Sequence, residues 1–364
     1  PLVRRGARTE YDENGRVVAT VDGAGHRSEN IHDIENRREI SVDRLGNETV
    51  YQYDAFGLIT SETDPLGNVT SYTYDATGNR TSQTNALGQT LLFSYDSKGL
   101  LLSRTDAGGN TTTFTYNSLG RPTRATDPLG NTTQFTYDAR GNAVSVTDPL
   151  GHTSTHEYDG FGQITSFTNP VGEEVTFEYD AFGNMLAETN DAGHRVEHTY
   201  DANGNQLSTT YFRTQADGTT SQMVMSHTYD AAGRVTDIVD ILGNHIENDF
   251  NAAGRPVART NPAGTSDYEY DSRGNQTLHT FPDGTTEAYT YDAEGRLTSI
   301  TDREGGTSTY AYDALGRLTQ VTRPDGRTRV NEYDALGRLI ALVDESGRRT
   351  EMQFGPAQNF AFDE

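Results

Sequence analysis

Apolar and polar positions alternate with a period of two through short segments, and turn-forming residues interrupt them about every ten positions. Tyr72 and Tyr74 fall on one face of such a segment, as do Phe93 and Tyr95, Phe114 and Tyr116, Phe135 and Tyr137, and Phe177 and Tyr179. Thr dominates the opposite face, which suits an exposed strand surface. Between turns lie about seven residues, an ordinary strand length. A helix reading fails, because Gly and turn signals recur too often for a stable helix. The predicted elements are therefore β-strands joined by tight hairpins.

The hairpins repeat. A Tyr-Asp step returns every 21 residues at Tyr11, Tyr53, Tyr74, Tyr95, Tyr137, Tyr158, Tyr179, Tyr200, Tyr229, Tyr270, Tyr291, Tyr312 and Tyr333. Weaker copies keep phase at His32-Asp33, Tyr116-Asn117, Phe250-Asn251 and Phe354-Gly355, which makes 17. A fixed period means one supersecondary unit laid down repeatedly, with stability that is collective. Ordering 21 residues costs roughly 20–40 kcal/mol, whereas burying one ring returns about 1.5–3 kcal/mol. The tyrosines of this series, Tyr116 among them, are expected to be structural.

Each turn has one chemistry. Asp or Asn leads, Pro can follow and Gly closes, as in Asp64-Pro65-Leu66-Gly67. This predicts a type I turn followed by a left-handed residue. Gly67, Gly130 and Gly151 are expected to hold positive φ, and Asn36 to take that place where Gly is missing. Seven of the 11 prolines, Pro65 and Pro128 among them, stand at the second turn position.

Two strands per copy predict about 34 strands, a length at which a flat open sheet curls. The expected fold is all-β, a long antiparallel meander of YD hairpins spiralling into a hollow shell or tube. Neighbouring second strands are expected to stack their rings into aromatic rows. The array is expected over 1–354, with 355–364 as a tail; beyond Phe354, Gly355-Pro356-Ala357-Gln358 breaks the turn formula. Between Tyr200 and Tyr229 the spacing grows to 29. That predicts an extended hairpin, Leu207–His227, turning around Ala216-Asp217-Gly218. Its apolar load, Tyr211, Phe212, Met223, Val224 and Met225, reads either as packing on neighbours or as a partner contact. One residue is lost after Gly264, which predicts a local bulge change.

Composition adds limits. There is no Cys, so neither disulfides nor thiolate metal sites contribute. A formal charge of -24 argues against a nucleic-acid surface. No apolar run approaches a membrane span, so membrane insertion is not expected. The chain starts at Pro1 rather than Met, which reads as a processed piece or an excised segment, from which a leader could have been lost.

No chemistry rises above the repeat. His152 and His156 share a strand face, as do His194 and His198, but residues four apart in a strand are about 13 Å apart, too far for one metal. The Asp rows read as turn caps and lack the spacing of a calcium loop. No catalytic residue, cofactor site or metal site is assigned, and an enzyme is not expected.

The unit Tyr312-Asp313-Ala314-Leu315-Gly316-Arg317-Leu318-Thr319 resembles the YD repeat of the rearrangement-hotspot (Rhs) family. That family includes bacterial polymorphic-toxin effectors, wall-associated proteins, the cocoon component of Tc toxins and teneurins. The resemblance implies a spiralling sheet forming a hollow shell. In toxin members this shell encloses a C-terminal toxic domain until delivery, by type VI secretion or another route. It also implies a secreted or cell-surface bacterial protein, whose partners are the enclosed toxin or another part of the full protein, delivery machinery or further copies. The self-cleaving segment of those members is not found: Gly67-Asn68 and Gly151-His152 continue differently. The alternative is an extracellular structural or adhesive repeat protein that assembles or binds glycans.

Overall fold

A computed structural model describes residues 7–214 and 220–354. The described residues are all-β, without a helix, in one 33-stranded antiparallel sheet that does not close. The chain falls into two compact units, one formed by Pro1–Thr111 with Asp267–Glu364, the other by Thr112–Ser266. The turn at 216–218 and the tail at 355–364 lie outside the described residues.

One repeat shows why the sequence folds this way. Strand Ile59–Thr63 pairs with Val69–Tyr74, which pairs in turn with Arg80–Thr84. In the turn between the first two, the Gly67 amide donates to the Asp64 carbonyl at 2.9 Å. The Asp64 carboxylate accepts from the amides of Leu66 and Asn68 at 2.9 and 2.8 Å, and from the Asn68 side chain at 2.8 Å. A single Asp thus satisfies the turn donors that no strand can reach. Gly67, Gly130 and Gly151 have φ of 82°, 86° and 88°. The next turn, after Tyr74, follows the same hydrogen-bond scheme but carries a register shift between Thr73 and Tyr74.

Three local expectations need correction. Asn36 does not take the left-handed position; Arg37 does, at φ 52°. Here Asp33 pairs with Arg38 and the ladder has no shift, so the loop is one residue longer and the positive φ moves one place on. Asn36 instead donates its side-chain amide to the Asp33 carboxylate at 3.0 Å. The residue missing after Gly264 shortens the turn itself: strands Pro256–Asn261 and Gly264–Tyr270 flank only Pro262 and Ala263.

The third concerns the rings, which do not stack from one second strand to the next. A first strand intervenes, placing Gln83 opposite Tyr72, Ala125 opposite Phe114 and Val146 opposite Phe135. Two strand spacings, about 9.6 Å, exceed the roughly 4.5–7 Å at which rings interact. The face alternation itself is clear: Thr70, Tyr72 and Tyr74 are half-buried, while Val69, Ser71 and Thr73 are exposed. Hydroxyls on the exposed face pair across strands, as Thr136 does with Ser145 at 2.6 Å. Only Ala19, Leu91, Ala187 and Ala341 are buried apolar residues among those described, because a single-layer sheet covers its rings only sideways.

Candidate functional site

The repeat tyrosines act through their hydroxyls as well as their rings. Each hydroxyl of Tyr74, Tyr95, Tyr137, Tyr158, Tyr200, Tyr291, Tyr312 and Tyr333 donates to the carbonyl 15 residues earlier, at 2.7–3.0 Å. Tyr229 reaches Gln206 across the long hairpin at 2.7 Å. The acceptor opens the first strand of the same hairpin, whose second strand ends in the Tyr. Ile59, which receives Tyr74, lies opposite Tyr53 at the previous register shift. Tyr53, Tyr116, Tyr179 and Tyr270 occupy the same shifted register, opposite Ile59, Pro122, Met185 and Gln276.

The weaker copies preserve this bond by other means. His32 places Nε2 3.0 Å from the Val17 carbonyl, again 15 residues back. Phe250 has no hydroxyl, and there Asn248 donates to the Val235 carbonyl at 3.3 Å. Burial raises the hydroxyl pKa of Tyr74, Tyr179, Tyr200, Tyr291 and Tyr312, which keeps these groups protonated. Burial, with Glu287 alongside, pushes Tyr289 up to about 12.

A second link uses Arg five residues after the repeat Tyr. Arg317 Nε donates to the Asp313 carboxylate at 2.7 Å and its NH1 to the Asp334 carbonyl at 3.0 Å, with the guanidinium 4.8 Å from the Tyr333 ring centre. Arg296 and Arg234 make the same triple contact to Asp313 and Tyr312, and to Asn251 and Phe250. Where Asn stands instead, as Asn79 does, its side-chain amide closes its own turn on Asp75. The sequence displays this Arg–Asn exchange, but the link to the next repeat needs the sheet.

The long hairpin consists of Gln206–Thr214 and Thr220–Tyr229. Its apolar residues divide between two faces. Tyr211 lies opposite Met223 and Thr209 opposite Met225, on the face that carries Tyr229. Phe212 lies opposite Gln222 and Thr210 opposite Val224, on the other face. Tyr211 and Val224 are exposed; Phe212, Met223 and Met225 are half-buried.

A groove of about 500 Å³ opens on the aromatic face between His156, Phe167, Phe177, Tyr179, Met185 and Glu188. The His156 ring lies 5.1 Å from that of Phe167. His152 caps Asp148 at 2.9 Å, and His198 approaches Thr209 at 3.2 Å. Among the described residues no three His, Cys, Asp or Glu side chains are grouped to hold a metal.

Hairpins tied tyrosine to carbonyl across a continuous antiparallel sheet define a YD-type repeat protein. The RHS Repeat family profile matches residues 36–69, 53–90, 95–132, 116–153, 158–196, 250–286 and 291–328, together more than half of the chain. The chain belongs to this family. No curated protein sequence matched. Among solved structures, that of TcdB2-TccC3 aligns over 92% of this chain and 23% of its own, with 18% identity and a TM-score of 0.60. TcdB2-TccC3 without its hypervariable C-terminal region aligns over 95% and 22%, with 17% identity and a TM-score of 0.58. A Tc holotoxin pore of Photorhabdus luminescens aligns over 93% and 24%, with 16% identity and a TM-score of 0.57. At these identities the likeness is one of fold. This chain spans about a quarter or less of each of these three structures.

Proposed function

We propose that the chain is a non-catalytic segment of an Rhs shell that encloses a toxic C-terminal domain and holds it for delivery outside the producing cell. The observation that carries this reading is the recurring set of ties, Tyr hydroxyl to carbonyl within the hairpin and Arg to the following turn, along a sheet built as a wall. The fold likeness to TcdB2-TccC3, a protein with a hypervariable C-terminal region, supports it. In this reading the repeat tyrosines and the turn glycines Gly67, Gly130 and Gly151 are wall residues. Tyr211, Met223 and Met225 contact whatever lies over the aromatic face, and Phe212 faces the other way. Native mass spectrometry of the protein purified from its producing cells tests the proposal. A co-purifying C-terminal fragment, released only on unfolding, is the expected result; assemblies of the repeat chain alone overturn encapsulation.

A further inference from the structure

Along the aromatic face the chain repeatedly lays its own cations on its rings. Arg121, Arg234, Arg296, Arg317 and Arg338 each hold a guanidinium 4.7–5.7 Å from the centre of the ring sixteen residues further on. At that separation an aromatic face attracts a positive charge. Sixteen residues before Tyr158, Tyr179 and Tyr200 stand Asn142, Gln163 and Asn184, so three successive repeats lack the cation at this place. Gln163 donates to the Gly183 carbonyl at 3.2 Å but brings no charge to the Tyr179 ring.

The groove of about 500 Å³ lies among these repeats. Phe167, Phe177 and Tyr179 line it, Glu188 is its only carboxylate, and neither Lys nor Arg belongs to the lining. Pairing register sets Glu188 directly opposite Phe177 on the same face. Its carboxylate is half-buried and has no ion pair or hydrogen bond among the described residues. Ring faces and an unpaired carboxylate in one groove are the two halves of a guanidinium site. The plane of the cation stacks on a ring, while its edge gives two N–H donors to the carboxylate.

We propose that this groove binds an arginine side chain presented by a basic polypeptide segment. The occupant follows from charge and shape. A formal charge of -24 draws basic chains to the protein, and Glu188 gives that attraction a fixed end point. The groove is larger than one guanidinium group needs, which leaves room for an apolar neighbour against Phe167 and Val175. Lysine fits less well, because a compact ammonium has no plane to stack and no fork to match the carboxylate. The inference does not rest on encapsulation: that reading is judged by what co-purifies, this one by binding in trans, and either can fail alone.

Fluorescence anisotropy of a labelled Ser-Phe-Arg-Ser peptide titrated with the intact chain tests this, at about 150 mM salt so that distant charges are screened. The arginine peptide should bind, its lysine counterpart more weakly, and its neutral citrulline counterpart about tenfold more weakly or worse. Glu188→Gln should weaken binding about tenfold. Glu157→Gln, the same charge change at an exposed position on the opposite face, should leave it unaltered. Gln163→Arg supplies the cation missing beside Tyr179 and should also weaken binding about tenfold. Folding is protected because Gln83 already stands opposite Tyr72 in the place of Glu188, and Arg234 already fills the place of Gln163; circular dichroism verifies it. No binding of the arginine peptide, equal binding of the citrulline peptide, or wild-type affinity in Glu188→Gln or Gln163→Arg overturns the proposal. So does a loss in Glu157→Gln equal to that in Glu188→Gln, or ethylguanidinium binding as tightly as the peptide.

Discussion

Replacing Tyr158 by Phe removes one oxygen from one tie and little else. The hydroxyl donates to the Ala143 carbonyl at 2.9 Å, and the ring is half-buried. A net hydrogen bond is worth about 0.5–1.5 kcal/mol, and a carbonyl left unpaired away from water costs about 1–3 kcal/mol. Partial solvent access places the expected loss near 1–2 kcal/mol. In a repeat array this loss is local, so hydrogen exchange is the suitable assay. Peptides spanning 143–158 should exchange about 5- to 30-fold faster, since about 1.4 kcal/mol is a factor of ten, while those spanning 59–74 should not change. The second variant imitates nature: Phe250 is accompanied by Asn248, whose amide serves the Val235 carbonyl. Adding His156→Asn to Tyr158→Phe should therefore recover part of the protection. Unchanged exchange at 143–158 in the single variant would show that the bond is dispensable, and failure of the added His156→Asn to rescue would refute the equivalence drawn from Phe250.

Other outcomes follow from the same geometry. Gly130→Val should lower the melting temperature through a backbone cost of about 1–3 kcal/mol at φ 86°; a Cβ there meets nothing within 4 Å, so an unchanged melt would refute backbone strain itself. Arg317→Lys should loosen exchange around 334–337, because an ammonium cannot serve Asp313, the Asp334 carbonyl and the Tyr333 ring together; equal protection would mean that the link contributes nothing. The Asn79 side chain, then Thr77, hold Asp75 down to about 2. Its folded value lies below its unfolded one, so its stabilisation is complete above the ordinary carboxylate range and is lost as pH falls from about 4 toward about 2. Asp75→Asn, which keeps a capping oxygen, should flatten that acid limb in melts between those pH values; an identical limb would remove Asp75 from it.

Much of the local structure was legible because its causes are local. The turn at Asp64–Gly67 follows from one carboxylate and one glycine, and the face shared by Tyr72 and Tyr74 from the two-residue period of a strand. The tyrosine–carbonyl tie was not read, although a signal existed: Tyr is nearly constant at the repeat step, whereas Phe, His and Tyr exchange two residues earlier. A ring alone would not demand the hydroxyl. The long hairpin was legible from its spacing, but the separation of Tyr211, Met223 and Met225 from Phe212 and Val224 came from pairing register.

By itself, then, the amino-acid order determined strands, turns, the polarity of each face and the family to which the chain belongs. Only the tertiary structure decided that Arg44 meets Glu294 and Asp22 meets Arg273. Those meetings depend on small rotations from strand to strand, added over the many strands between them, and no single residue encodes their sum.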